Sequence, residues 1–266
     1  MTLKLTILGC GSSGGVPRLP FDWGKCDPQN PKNRRRRCSA LVQRFGRNGV
    51  TSAIIDTGPD IREQLLTQRL PAIDGVLYTH DHADHTHGID DLRMLAYAMK
   101  RRVPAWMDRA THESLISRFG YCFHTPAGGS YPPIMTAHAI EPGHPILIDG
   151  PGGSLTALPV QQEHGDISSL GFRFGTIAYS PDISGLSENS ISMLAGLDVW
   201  IVDALRDIPH PSHFTVKQAL DWIERIAPKR AILTHLHIDL DYDALKRRLP
   251  AHVEPAYDGM ELEFTA

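Results

Sequence analysis

The chain is short of several things whose presence would fix its class at once. Its 266 residues include only four cysteines, Cys10, Cys26, Cys38 and Cys122. They have neither CxxC spacing nor the density of a secreted scaffold, which argues against a disulfide framework. No stretch approaches the roughly 18 to 20 apolar residues of a membrane span, and Met1 to Leu8 is too short and strand-like for a signal peptide. A cytoplasmic protein without a membrane partner is therefore expected. An excess of one charge is missing too: 27 Lys+Arg face 30 Asp+Glu, so long nucleic acid is not expected as a partner. No internal repeat and no low-complexity linker divides the chain. The one excess is histidine, at 14 residues.

Hydrophobic periodicity predicts strands over Leu3 to Leu8, Ala40 to Phe45, Ser52 to Ile55, Val76 to Tyr78, Val103 to Met107, Ser154 to Val160, Leu170 to Phe174, Thr176 to Tyr179, Val199 to Val202, Ala231 to Leu233 and Glu261 to Phe264. Between them it predicts helices over Pro59 to Gln68, Ile89 to Met99, Arg109 to Phe119, Ser187 to Leu194, Thr215 to Ile226 and Tyr242 to Arg248. Pro59 is placed as a first-turn proline and Thr215 as a cap. This alternation predicts one layered α/β domain over residues 1–266. Gly11 to Arg37 and Tyr121 to Gly153, rich in Gly and Pro, read as long surface loops of the kind that often carry function.

Gly9-Cys10-Gly11-Ser12-Ser13-Gly14 follows a predicted strand and matches GxGxxG, so dinucleotide binding has to be weighed. The context fails: Gly15, Pro17 and Pro20 prevent the helix that would receive the pyrophosphate, and no acidic strand end follows about 20 residues on. A tight glycine loop at the rim of another kind of site is the better reading.

The strongest signal is His80-Asp81-His82-Ala83-Asp84-His85, directly after the apolar Gly75-Val76-Leu77-Tyr78. A turn there can present His80 and His82 to one metal and Asp84 and His85 to another. Imidazole and carboxylate donors suit zinc, iron or manganese. The alternative is a polar loop that merely happens to be rich in histidine.

This HxHxDH pattern resembles the metallo-β-lactamase-fold hydrolases, and the likeness continues in order along nearly the whole chain. Ile54-Ile55-Asp56-Thr57-Gly58 is similar to the family's strand-end aspartate motif, Gln162-Glu163-His164-Gly165 to its next metal histidine, Tyr179-Ser180-Pro181-Asp182 to its bridging aspartate, and Leu233-Thr234-His235 to its last histidine. The resemblance implies an αββα four-layer sandwich and two divalent metal ions, zinc or manganese. His80, His82 and His164 would hold one ion, Asp84, His85 and His235 the other, with Asp182 bridging and Asp56 orienting the ligands.

Within that superfamily, the Gly9 to Gly15 loop with Val16-Pro17, the Arg34 to Ser39 segment, and Asp258-Gly259-Met260-Glu261 look like the PhnP-type phosphodiesterases. Those act on cyclic phosphates such as phosphoribosyl 1,2-cyclic phosphate; ribonuclease Z and PqqB-like proteins are related branches. His213-Phe214-Thr215 is similar to an HxT-like motif of the phosphodiesterase branches. Its histidine can stabilise charge on phosphorus or protonate the leaving oxygen, or else simply flank the helix beginning at Thr215. PhnP-type proteins can also carry a structural zinc on a cysteine cluster. Here only Cys26 lies after the glycine loop, with Cys38 well beyond it and His237 two residues past His235, and the sequence is expected to lack that zinc.

The resulting expectation is a phosphodiesterase that hydrolyses small cyclic or nucleotide-like phosphodiesters through a hydroxide shared by the two ions. His213, Asp84 and Asp56 form its catalytic set. Substrate contacts are assigned to His213, to Ser12 in the glycine loop, and to Arg37 as the inward member of an anion-binding Arg34 to Arg37 run. Two alternatives stand beside it: a thioester or lactone hydrolase of the glyoxalase II type, and a non-catalytic metal-dependent nucleotide sensor. β-Lactam hydrolysis is disfavoured by Asp84, and oxygen or nitric oxide reduction would favour a carboxylate at the position of His82. Oligomeric state is open, although related proteins often pair as homodimers.

Overall fold

The computed structural model describes residues 2–265; Met1 and Ala266, the ends of the expected domain, lie outside the described residues. The first half runs β1 (Thr2–Gly9), β2 (Ser39–Gly46), β3 (Gly49–Ile55), α1 (Ile61–Gln68), β4 (Gly75–Leu77), α2 (Ala83–Thr86), α3 (Arg93–Met99), β5 (Val103–Met107), α4 (Arg109–Phe119) and β6 (Met135–Ala139). The second half runs β7 (Ile146–Ile148), β8 (Leu155–His164), β9 (Ile167–Phe174), β10 (Ile177–Ser180), α5 (Glu188–Met193), β11 (Val199–Asp203), α6 (Val216–Ile226), β12 (Arg230–Thr234), α7 (Tyr242–Arg248), β13 (Val253–Pro255) and β14 (Glu261–Thr265).

These strands form two seven-stranded sheets, ordered β14-β1-β2-β3-β4-β5-β6 and β13-β12-β11-β10-β9-β8-β7. Each begins as antiparallel hairpins and continues as parallel strands: β3 pairs parallel with β4 and β4 with β5, just as β10 pairs parallel with β11 and β11 with β12. Alternating side chains supply both faces. Leu3, Leu5 and Ile7 of β1 meet Phe172, Tyr179 and Ile201 between the sheets. Leu8, Ile54, Val76 and Tyr78 pack outward against Ile61, Leu65 and Leu115 of the first set of helices. Trp200, Val202 and Leu233 pack against Ala219, Ile223 and Leu245 of the second set. Three apolar layers thus hold four layers of structure, the expected αββα sandwich. Each fully buried Leu, Ile or Phe contributes roughly 1.5–3 kcal/mol. Among the described residues no helix is long and apolar enough to cross a membrane.

Local signals place most elements. Thr215 caps α6 in a reciprocal box with Gln218, and Val216, Ala219, Ile223 and Ile226 form the face buried against the second sheet. Other expectations need correction. Pro59 lies in the turn before α1, not in its first turn; Asp60 takes the cap position but spends its carboxylate on the Arg37 backbone N–H at 2.8 Å. The helix expected over Ile89 to Met99 divides into a 3-10 turn, Ile89–Leu92, and α3. Tyr121 to Gly153 is not a continuous loop, because it contains β6 and β7. These two and β13, also unpredicted, are edge strands. An edge strand needs only one partner and tolerates the flanking prolines that mask it in the sequence.

Candidate metal centre

The parallel strands of both sheets deliver side chains to one place. After β4 the chain stays extended to His80; His82 then takes the cap position of the one-turn helix α2, which carries Asp84 and His85. The first two ligand candidates therefore precede the helix and the second two ride on it. That helix is stitched to the loop after β3: Thr57 N–H donates to the His85 carbonyl at 2.8 Å and Gly88 N–H to that of Thr57 at 2.8 Å. Gly58 permits this approach, since a Cβ there would lie 2.1 Å from the Asp84 carbonyl oxygen. Asp56 and His235, both just past strand ends, hold left-handed backbones with φ of 63° and 58°, the kind of strain that collects at functional sites.

Buried hydrogen bonds fix how the imidazoles point. Asp56, fully buried, accepts from Thr79 N–H at 2.8 Å, from the Thr79 hydroxyl at 2.8 Å and from His85 Nδ1 at 2.7 Å. Because that hydroxyl is committed to Asp56, Thr79 Oγ1 accepts from His80 Nδ1 at 2.9 Å. His164 Nδ1 donates to the Ser212 carbonyl at 2.7 Å. In each ring Nδ1 carries the hydrogen and Nε2 presents a lone pair inward.

Those lone pairs converge on Asp182, just beyond β10. Its Oδ1 lies 3.0 Å from His85 Nε2, and its Oδ2 lies 3.5 Å from His235 Nε2, 3.7 Å from His164 Nε2, and 3.9 Å from both His80 Nε2 and His213 Nε2. His82 Nδ1 faces His164 Nε2 at 3.3 Å. Asp84 Oδ2 is 3.5 Å from His85 Nε2 and 3.8 Å from His235 Nε2. The donor atoms fall into three overlapping sets, each within 4.8 Å: His80, His82, His164 and Asp182; Asp84, His85 and His235; and Asp182, His213 and His235. Nε2 of His80, His85 and His235 and Oδ1 of Asp182 are buried, and none has a hydrogen-bond partner among the described residues. Burying such atoms unpaired is costly, and as donors to divalent cations they fit.

The electrostatics agree for Asp182, Asp84, His80 and His164, while the carboxylates around His85 draw a proton to it where no cation answers them. Burial resists ionisation of Asp182, yet His235 and His85 outweigh it and hold that carboxyl well below the usual carboxylate range. The same opposition at Asp84 is won by His85 and His235. Burial pushes His80 down and His164 down to about 4, keeping both neutral and able to ligate. His85, although buried, is pushed up by Asp182, Asp84 and Asp56. Burial raises both Asp56 and Asp203.

Asp203, the last residue of β11, is a site residue that sequence reasoning missed. It is fully buried and accepts from His213 Nδ1 at 2.7 Å, while His213 stacks on His235 with ring centroids 4.5 Å apart. A strand ending in aspartate, as β3 runs into Asp56, was the available signal. A cleft of about 310 Å³ opens over the cluster. Of the expected substrate contacts, Ser12 and His213 line it, and Arg37 does not: its guanidinium sits on Asp60 at 2.7 Å. Arg18 and Arg206, not foreseen, line the cleft instead. Cys26 donates to the carbonyls of Ile238 and Leu240 at 3.3 and 3.5 Å, and Arg35 lies 3.8 Å from its sulfur. The glycine motif serves backbone packing: a Cβ on Gly9 would lie 2.1 Å from the Arg37 carbonyl oxygen.

The sequence profile of the β-lactamase superfamily domain matches residues 51–236. The chain belongs to this superfamily. It resembles the crystal structure of a new diphosphatase from the PhnP family at 36% identity, covering 99% of this chain and 98% of that one, with a TM-score of 0.89. The likeness makes the chain PhnP-like, and the donor cluster above is a set of side chains able to hold metal ions. Less similar structures share the fold: zinc-bound PqqB from Methylobacterium extorquens, at 18% identity over 97% of this chain and 99% of that one (TM-score 0.75), and the short form of human tRNase Z, at 18% over 97% and 98% (TM-score 0.63). A curated relative named octanoyltransferase, from Porphyromonas gingivalis strain W83, is 30% identical over 97% of this chain. The chain spans about half the length of that relative, 51%.

Proposed function

We propose that the protein is a dinuclear metal-dependent phosphodiesterase for small cyclic or nucleotide-like phosphodiesters, with residues 1–266 acting as one catalytic domain. The convergence of five imidazoles on the Asp182 carboxylate carries this reading. His80, His82 and His164 would hold one cation and Asp84, His85 and His235 the other, with Asp182 shared. Charge is in keeping with bound cations: Asp56, Asp84, Asp182 and Asp203 bring four carboxyl groups together here, and divalent cations would offset the charge of those held ionised. Imidazole and carboxylate donors suit zinc or manganese. When bound, such a pair supplies Lewis acidity toward phosphoryl oxygens and lowers the pKa of water.

The remaining work falls to the chain's own residues. Asp56, Thr79 and Ser212 orient the imidazoles, so the ligands need no rearrangement. Asp203 holds the Nδ1 hydrogen of His213, which turns Nε2 toward the cleft. Protonated there, Nε2 donates to charge developing on the phosphorus oxygens or to the departing oxygen. The cleft volume suits a small diester rather than a polynucleotide. Phosphorus as the electrophile is favoured by the likeness to a PhnP-family diphosphatase and by His213 itself.

The test is hydrolysis of bis(p-nitrophenyl) phosphate and cyclic phosphodiesters by metal-free protein reconstituted with zinc or manganese, beside a thioester control. Metal-dependent cleavage of the diesters alone is expected. Thioester cleavage with inert diesters would replace this reading with the glyoxalase-type one.

A further inference from the structure

Ser212 touches two histidines of the cleft at once. Its carbonyl accepts from His164 Nδ1 at 2.7 Å, its backbone N–H donates to His210 Nδ1 at 3.3 Å, and its hydroxyl lies 3.2 Å from the same nitrogen. A backbone N–H can only donate, so the Nδ1 lone pair of His210 is engaged and the ring hydrogen sits on Nε2. His213 has the opposite arrangement, with Nδ1–H on Asp203 and Nε2 facing Asp182 Oδ2 at 3.9 Å. Two neighbouring imidazoles that line one cleft are thus held in opposite tautomers. Burial, with the charges of His213 and Arg206, pushes His210 down and keeps its ring neutral.

His210 stands outside the donor cluster but next to it. Among the described residues it belongs to none of the three donor sets. His213 neighbours two ligand candidates, with ring centroids 4.5 Å from His235 and 4.7 Å from His164, and the His210 ring lies 5.0 Å from that of His213. His210 is therefore one ring further from Asp182. Pro209 and Pro211 flank it and restrict the backbone that carries it.

Hydrolysis of a phosphodiester develops charge in two places. The oxygen of water bonds to phosphorus, the bond to the departing oxygen breaks and leaves its electron pair there, and that oxygen ends with a proton that the water gives up. Charge also builds on the non-bridging phosphorus oxygens. Those face the cluster, whereas in-line displacement sends the departing oxygen away from the incoming one. We infer that His210 is the contact for the departing oxygen, donating to it from Nε2–H while keeping its own proton, and that His213 serves the phosphorus oxygens. This rests on the reading of the metal cluster as the place where the scissile phosphorus sits. A hydrogen bond to an oxygen gathering charge is worth about 10- to 100-fold in rate.

Two variants separate the two edges of the ring. His210→Asn keeps an acceptor for Ser212 N–H and loses the outer donor, whereas His210→Gln keeps a donor at the Nε2 position and loses that acceptor. The assay is kcat on zinc- or manganese-reconstituted protein for diphenyl phosphate and bis(p-nitrophenyl) phosphate, the nitro group of the second drawing charge off its departing oxygen. His210→Asn is expected to lose about 10- to 100-fold on the diphenyl ester and less on the nitrophenyl ester, with metal content unchanged, and His210→Gln to keep most of the wild-type rate on both. Equal losses on the two esters, His210→Gln the worse variant, or a wild type confined to the nitrophenyl ester would each overturn this role. A long-range imidazole nitrogen–proton correlation spectrum of metal-free protein needs no turnover: hydrogen on His210 Nε2 is expected, and hydrogen on Nδ1 would overturn the assignment. Two inert diesters beside a cleaved thioester control would remove the phosphodiesterase reading and this role with it, whereas diester cleavage with equal losses removes the role of His210 alone.

Discussion

Asp56→Asn isolates one physical idea: a buried carboxylate that touches no substrate determines which nitrogen of His85 is free to bind metal. Asp56 Oδ1 accepts from Thr79 N–H, and Oδ2 accepts two donors, the Thr79 hydroxyl and His85 Nδ1. Asparagine keeps the volume and tolerates the left-handed backbone at φ 63°. Its carbonyl can serve Thr79 N–H, but its NH2 then meets two donors. Leaving them unpaired costs about 1–3 kcal/mol. The escape is for His85 to move its hydrogen to Nε2 and accept at Nδ1, which removes the lone pair that faces Asp84 and Asp182. Losing an orienting partner of this kind costs 10- to 100-fold in metal affinity, about 1.4 to 2.8 kcal/mol.

The assay is a chelator competition with metal counting, followed by hydrolysis of bis(p-nitrophenyl) phosphate against added metal. Asp56→Asn should bind the ion at Asp84, His85 and His235 about 10- to 100-fold more weakly, with activity returning as metal is raised. Two ions bound at wild-type affinity with wild-type kcat would refute the tautomer argument.

Three further outcomes follow from the same geometry. His213→Ala should lower kcat by about 10²- to 10⁴-fold with metal content unchanged; loss of one ion instead would make His213 a ligand of the Asp182–His235 set. Gly58→Ala drives a methyl against the Asp84 carbonyl oxygen, 2.1 Å away, and should displace α2 so that the ion at Asp84 and His85 binds more weakly, as metal counting would reveal; unchanged stoichiometry and affinity would show that the loop yields at no cost. Because burial holds His164 down to about 4, below its ordinary value of about 6.5, the fold favours the neutral ring. That stabilisation is complete above about pH 6.5 and fades as pH falls toward 4. In metal-free protein the His164 contribution should shrink by about 2 kcal/mol between pH 7 and pH 5, read as the difference in urea-unfolding free energy between wild type and His164→Gln. A difference that does not change with pH would show that His164 does not titrate in this way.

What was legible in the sequence is what short-range geometry dictates. A strand that ends in His80-Asp81-His82-Ala83-Asp84-His85 must turn, and the turn splits the donors whatever the rest of the chain does. The central strands announce themselves because both faces are apolar. The edge strands β6, β7 and β13 do not, since each is fixed by one neighbour and carries or adjoins proline. The arginines mislead for a related reason. A run from Arg34 to Arg37 looks like an anion site, but the answering carboxylates, Asp60 and Asp258, come from distant parts of the chain. Arg18 and Arg206 are single residues in irregular segments, and only tertiary contacts bring them to the cleft.

Asp203 was hidden by the symmetry that makes the centre work. Each sheet ends a parallel strand at a buried aspartate: β3 leads to Asp56, which holds Nδ1 of His85, and β11 ends at Asp203, which holds Nδ1 of His213. Both aspartates are fully buried, and burial raises both against ionisation. Neither would be retained there for stability alone, since a buried carboxylate is costly unless its partners answer it. At Asp56 the partner lies within the metal motif, so the motif gives it away. At Asp203 the partner is ten residues further on, across an irregular segment with no motif of its own. The two sheets thus supply equivalent devices to different ends. On the proposed reading, one sets the tautomer of a histidine that would hold metal, and the other sets that of a histidine left free to move a proton.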